Sequence, residues 1–306
     1  MKGRSISRKP LMRILTPYFF FIPVYFLLIT FKYIPFATAI QKSFYNWDGG
    51  NTDIFIGFGN FIEIFSDAVF LQSLSHVVMV CFAYILIALT VPLIAAELLF
   101  SLKNTRAQYI LRTAFTFPMV VPGVVTILLW RWIFAGDHGI LNQVLGVLGL
   151  GAWASPWLGQ STTALTSIIF IGFPWIGVAM LGGMQFLVYF GALQNIPKEL
   201  FEVGKLHHMN IFQRLWYIDL PMLASQFKLM IMLAIINGMQ IFDSVFILTR
   251  GGPGFSTMTP AVHIYEQGFN FGRMGYSAAI GVVLFVIIMV ITALNQKFLK
   301  NTENVD

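Results

Sequence analysis

Charge is scarce in this chain. Of 306 residues only 10% are Asp, Glu, Lys or Arg, while 57% are hydrophobic, and the mean hydropathy is +0.76. A soluble domain carries about 25% charged residues, so the composition excludes a water-solvated globule and fits a chain solvated by lipid. Cysteine is nearly absent. Cys81 stands alone inside an apolar run, which excludes a disulfide framework and a cysteine-based metal site. A phosphate loop of the form G-x-x-x-x-G-K-[ST] is missing too: Gly204-Lys205 is followed by Leu206, and no glycine precedes Gly204 by five. H-E-x-x-H is absent. The adjacent pair His207-His208 would point about 100° apart on a helix and cannot share a metal well. Gly57 and Gly59 in "GFGNF" lack the third glycine of a dinucleotide fingerprint. No Ser/His/Asp constellation stands out among five histidines. The residues therefore give no support to an enzyme or to a metal site.

What is present is long apolar runs. Crossing a hydrocarbon core takes about 20 residues. Six stretches meet that length: 15–39, 72–100, 109–134, 163–190, 221–248 and 276–298. Lipid offers no hydrogen-bond partners, so the spans are expected to be helical and the fold all-α, one transmembrane domain over 1–306. The first run is too long for a signal-peptide core and is interrupted by Lys32 and Pro35, so it is read as a retained span despite "ATA" at 37–39.

Basic residues orient the bundle. The N-terminal stretch, the second and fourth loops and the tail hold 13 of the 19 Lys and Arg. The opposite side holds Lys32, Lys42, Arg131, Arg250 and Arg273, and Lys228 lies inside the fifth span. A Lys/Arg excess marks cytoplasmic loops rather than a nucleic-acid partner. Both termini and the fourth loop are thus expected in the cytoplasm. The outward loops 40–71 and 135–162 are rich in Gly, Trp and Phe and short of charge, as suits an outer interface or a partner.

The fourth loop reads "IPKELFEVGKLHHMNIFQRLWYIDLPML" over 196–223. Asn195-Ile196-Pro197 is a helix start, and Glu199 and Glu202 suit the positive end of the helix dipole. A helix is expected over 197–212. Leu200, Phe201, Gly204 and His208 would share one face, and Gly204 would let a neighbour approach closely. Such a helix either lies on the headgroups or docks into a partner's groove.

Here the sequence resembles permease subunits of binding-protein-dependent ABC importers. Their loop has the approximate form IP-x-E-L-x-E-A-A-x-x-D-G-A…F-x-x-I-x-L-P. This chain supplies Ile196-Pro197, Glu199-Leu200, Glu202-Val203-Gly204, Phe212, Ile218 and Leu220-Pro221. It departs at His207-His208-Met209, where the family has Asp-Gly-Ala. The resemblance makes the segment a coupling helix seated on an ATPase subunit, through Glu199, Glu202, Val203, Gly204, His207, His208 and Phe212. "FIGFGNFIEIFSDAVFLQSL" (55–74), "GILNQVLGVLGL" (139–150) and "LTRGGPGFSTMTPAVHIYEQGFNFGRMGYSAAIG" (248–281) resemble outward segments of the maltose-type subfamily. What the resemblance implies is a multi-pass protein of a bacterial inner membrane importing a sugar by alternating access. Expected partners are a second similar permease, a cytoplasmic ATPase dimer holding ATP and Mg, and an extracytoplasmic solute-binding protein. No cofactor is expected on this chain itself.

Span five carries polar residues at membrane depth. Spacings of three and four put Asn237, Gln240 and Ser244 on one stripe, with Asp243 beside it. Such groups face a cavity or another helix; the path-lining reading is adopted, with Phe242 and Trp175 as apolar faces for a sugar. Asp243 either reaches water or pairs with Arg250. Lys228 can snorkel and is given no role. Gly251-Gly252-Pro253 forms an outward turn, which the resemblance places near the pathway mouth or the binding protein. Pro118 and Pro122 should bend span three. The rival readings are an ion-coupled secondary transporter, a permease for a glycerol phosphodiester, polyol or acidic oligosaccharide, and a structural anchoring subunit.

Overall fold

Local signals start most of the helices. In the computed structural model, which describes residues 11–175 and 184–298, the chain enters as α1 (Leu11–Leu28) and continues through a π-helical turn into α2 (Ile34–Lys42). A small antiparallel hairpin follows, β1 (Tyr45–Trp47) with β2 (Asp53–Phe55), paired in the register Asn46 to Ile54. The loop expected over 40–71 therefore has structure of its own, completed by α3 (Gly59–Ser66). Asn60 on α3 donates to the carbonyls of Ser43 (2.8 Å) and Tyr45 (2.9 Å), fixing the hairpin to the bundle.

Asp67 caps α4 (Ala68–Leu89) by accepting from the Val69 and Phe70 amides. Pro92 begins α5 (Val91–Phe100), which extends the same span. Asn104 caps α6 (Thr105–Thr116). Pro118 and Pro122 then break the third span as expected. Thr105–Val120 and α7 (Gly123–Ile133) meet at 94°. Next come α8 (Ile140–Val147), α9 (Ala164–Ile169) and α10 (Met184–Gln194). The expected fourth span, 163–190, is thus divided between α9 and α10, and residues 176–183 lie outside the described residues.

After α10 come α11 (Lys198–Leu206), α12 (Ile211–Arg214) and α13 (Leu220–Met222), the last two joined by a π-helical turn. The fifth span is α14 (Ala224–Met239) and α15 (Asp243–Leu248). A loop, α16 (Pro260–Tyr265) and α17 (Met274–Phe298) complete the chain. Among the described residues four helices are long and apolar enough to cross a membrane, five when the bent pair is counted as one.

The core runs along α4 and α14. Gly238 packs so tightly on Cys81 that an added methyl would fall 2.6 Å from its sulfur. Val77, Val80 and Val245 are fully buried around them. A second cluster joins α5, α10 and the start of α14 through Ala96, Phe186 and Leu193.

Candidate functional site: a buttressed hairpin, a broken span and a pinned loop

Three places in the fold gather the residues singled out in the sequence. The first is the α11–α12 hairpin. The helix expected over 197–212 is not continuous: it stops at Leu206, His207 caps it, and His208 takes a left-handed backbone (φ 51°) to turn the chain. A new start follows, with Asn210 accepting from the Gln213 amide (2.8 Å) and donating its own amide to the Gln213 side chain (2.9 Å). Phe212 therefore belongs to α12.

Gly204 does not open the outer surface. An added Cβ would meet Ile218 at 3.1 Å and Met209 at 3.5 Å, so the close approach that glycine permits is internal. Phe201 also turns inward, against Phe100. The expected common face of Leu200, Phe201, Gly204 and His208 is therefore split, with Leu200 and His208 outside. The outer surface carries Val203, Leu206, Ile211, Phe212, Trp216 and Tyr217, of which Phe212 is 74% exposed. Glu199, Glu202, His207 and His208 are exposed on the same hairpin.

Behind this surface is a part-buried ion cluster that the sequence did not reveal. Arg214 donates to Asp219 (2.8 Å) and to Glu97 on α5 (3.0 Å), and its guanidinium lies near the rings of Phe100 and Phe201. Asp219 is fully buried, with one carboxylate oxygen unpartnered among the described residues. Burial pushes its carboxyl up, against the pull of Arg214. In the sequence Arg214 counts only as a topology charge and Asp219 only as the start of a span. Sequence spacing gives no hint of Glu97, 117 residues away.

The second place is the break in span five. α14 ends at Met239, and Gln240, Ile241 and Phe242 leave the helical path before α15. Non-helical backbone at membrane depth is tolerated where it lines a cavity or is buried in protein. Here it does both. The Ile241 carbonyl accepts from the fully buried Thr259 hydroxyl (3.0 Å). A cavity of about 380 Å³ opens beside the break, and Asn237, Gln240, Phe242, Asp243 and Ser244 all line it, opposite Thr126 and the bend of span three. The continuous stripe expected from helical spacing is thus a bend, yet the same residues converge. Trp175 is not among them; it packs with Phe170 (5.4 Å) and Phe173 (5.0 Å). Asp243 and Arg250 form no ion pair among the described residues, and Arg250 lies instead over the Phe246 ring.

The third place is the loop holding Gly251-Gly252-Pro253. Thr257 pins it, meeting the Thr249 hydroxyl (2.7 Å) and donating to the Gly252 carbonyl (2.8 Å). Nearby, Asp67 accepts from His263 (2.8 Å) and Tyr276 (2.7 Å), joining the start of α4 to α16 and α17. Burial alone would raise the Asp67 carboxyl; the hydrogen bonds from Tyr276 and His263 outweigh it and hold the group below the usual carboxylate range. In the sequence Asp67 figures only within the outward segment 55–74, with nothing to join it to His263 or Tyr276.

The family described as "Binding-protein-dependent transport system inner membrane component" matches residues 88–303. Over 285 residues the chain is 30% identical to the probable ABC transporter permease protein YurN of Bacillus subtilis, covering 93% of this chain and 96% of that one. It is 28% identical to the probable starch degradation products transport system permease protein AmyD of Thermoanaerobacterium thermosulfurigenes, covering 94% of each. A chain in the crystal structure of a bacterial ABC transporter that imports the acidic polysaccharide alginate superposes with a TM-score of 0.80 at 18% identity. That superposition covers 95% of this chain and 100% of the other.

Proposed function

The chain belongs to the family of binding-protein-dependent transport system inner membrane components, and from that premise we propose that it is one permease subunit of an ATP-driven sugar importer. It is a multi-pass inner-membrane protein, and it carries no phosphate loop of its own. ATP, with Mg, is hydrolysed on a separate cytoplasmic ATPase dimer. A second, similar permease completes the path, and an extracytoplasmic binding protein delivers the sugar.

The observation that carries this reading is the α11–α12 hairpin. Seven apolar side chains, Leu200, Val203, Leu206, Ile211, Phe212, Trp216 and Tyr217, are at least one-third exposed there. A patch of that kind on a short polar-rimmed element suits a partner's groove. The Arg214 cluster ties its rear face to α5, so a push on the hairpin reaches a membrane span. Glu199, Glu202, Val203, His207, His208 and Phe212 contact the ATPase. Gly204 acts indirectly, by letting α11 lie against Ile218.

The substrate class follows from the cavity at the span-five break. Asn237, Gln240 and Ser244 offer neutral hydrogen-bonding groups and Phe242 offers an apolar face, which suits a sugar. No Lys or Arg is among its described lining residues, which favours a neutral sugar over the acidic one carried by the alginate importer. Asp243 is the one carboxylate there, too little for ion coupling through paired intramembrane acids.

The test is co-purification from native membranes, then ATPase activity in lipid with the associated binding protein and maltotriose, arabinotriose or an acidic trimannuronate. A copurifying ATPase stimulated by one loaded binding protein is expected. A chain that purifies without an ATPase and moves solute on a proton gradient would defeat the reading.

A further inference from the structure

Arg250 sits where a helix ends. Its amide donates to the Val245 carbonyl five residues back (2.9 Å), and its backbone is left-handed (φ 51°). That capping position ordinarily falls to Gly or Asn, because any Cβ is strained there. Phe255, five residues on, is left-handed as well (φ 64°). Two bulky side chains held in this region within one short loop point to a role for the side chains themselves.

Both line a single cavity of about 460 Å³, together with Glu266, Gln267 and Phe271. The volume lies within the roughly 300–1,000 Å³ range of small-molecule pockets. Phe255 is 50% exposed and Phe271 66%, and neither ring has a ring partner among the described residues. Arg250 makes no ion pair among the described residues and rests on Phe246 (5.9 Å). Glu266 accepts from Asn270 (2.6 Å), and Gln267 accepts only a long bond from Arg273 (3.4 Å), which leaves its amide nitrogen unclaimed among the described residues. His263, at the rim, is already committed to Asp67. The cavity thus offers flat apolar faces beside one cation, one carboxylate and one amide, with the two charges balancing.

The loop that carries it is pinned and connected to the break. Thr257 closes the loop on Thr249 and Gly252, and Thr259, at the loop's end, holds the Ile241 carbonyl in the span-five break. Only α15, six residues long, separates this cavity from the one lined by Gln240 and Asp243. At 1.5 Å per residue that is about 9 Å of helix.

We propose that this loop cavity is a second saccharide site, which receives an uncharged sugar ring before the sugar passes to the cavity at the break. The sugar's C–H faces lie on Phe255 and Phe271, and its hydroxyls bond Arg250, Glu266 and Gln267. The site rests on the importer reading and adds to it a waiting position outside the path cavity.

The complete transporter is reconstituted in lipid nanodiscs without its binding protein. Saturation-transfer NMR then reads magnetisation passed to maltotriose, arabinotriose or trimannuronate. Phe255→Asn keeps a residue that tolerates the left-handed backbone and removes the ring, and it is combined with Phe271→Ala; Arg250→Asn is made separately on the same logic. Expected is transfer to the ring protons of a neutral sugar, reduced at least twofold by the Phe pair and by Arg250→Asn, with the KM for uptake, measured in proteoliposomes supplied with the binding protein, raised about tenfold. Equal transfer in all variants would overturn the site. So would an unchanged sugar signal with a higher concentration of loaded binding protein needed to half-stimulate the ATPase, which would assign the cavity to protein docking. Preference for trimannuronate would overturn the uncharged class. If no sugar-loaded binding protein stimulates the ATPase of the unaltered transporter, the importer reading falls, and this site falls with it.

Discussion

Asp67 illustrates how much one side chain can hold. One carboxylate oxygen caps α4 through the Val69 and Phe70 amides, and the other accepts from His263 and Tyr276. Removing the side chain would uncap a helix and leave a buried imidazole and a phenol without their acceptor. Asp67→Ala is expected to cost roughly 2–4 kcal/mol, from about 1 for the cap and 1–3 for the orphaned donors. Asp67→Asn keeps the cap and should cost less. Thermal unfolding of the purified complex would measure both, and equal effects of Ala and Asn would show that the cap is not part of Asp67's contribution. The pH dependence has a definite sign. The folded carboxyl is held below its ordinary range, so this stability is fully present above about pH 4 and is lost as pH falls toward the lowered value. The sequence places Asp67 only within the segment 55–74 and cannot reach His263, 196 residues distant.

At the scale of elements, Arg214 decides how the α11–α12 hairpin is mounted. It binds two carboxylates from different elements, and Asp219 has no access to water. Breaking one side of a buried pair leaves an uncompensated charge and costs about 3–5 kcal/mol. Arg214→Gln should therefore destabilise the complex by that order at pH 8. Burial has already raised the Asp219 carboxyl. A raised acid holds its proton better in the folded state, so its contribution favours folding at low pH and is lost as pH rises through the folded value. The Arg214→Gln penalty should accordingly be smaller at low pH than at pH 8, and Asp219→Asn in the same chain should recover part of it. A penalty equal at both pH values would mean that Asp219 is not left charged. The elements themselves were unevenly legible. Pro118 and Pro122 announce the bend of span three, because a ring at those positions removes helical donors. The stop at Leu206 was not readable, since Lys205 to Met209 contain no proline and no glycine and the turn is made by His208 in a left-handed backbone. The inward facing of Gly204 was hidden for the same reason: spacing gives a face but not which neighbour meets it.

At the scale of the whole molecule, the hairpin, α14, the break, α15 and the pinned loop follow one another in the chain. The sequence picks out Asn237, Gln240, Asp243 and Ser244 in span five but draws them as a straight helical stripe. The break at Gln240–Phe242 does what a stripe cannot, turning five side chains into one cavity. Asn237 already satisfies part of its amide by donating to the Leu233 carbonyl (2.8 Å), so it and Gln240 keep hydrogen-bonding capacity for a ligand. If they bond a sugar, the variant Asn237→Leu/Gln240→Leu removes two to three bonds of about 1 kcal/mol each. Each 1.4 kcal/mol is tenfold, so uptake at limiting sugar should fall about tenfold or more while the complex still assembles with its ATPase. If the amides serve instead as glue between helices, the loss would appear as a failure to assemble, with normal uptake by whatever complex forms. Assembly by size-exclusion chromatography and uptake by vesicles therefore separate a path from a seam, and unchanged uptake in an assembled complex would remove span five from the route of the sugar.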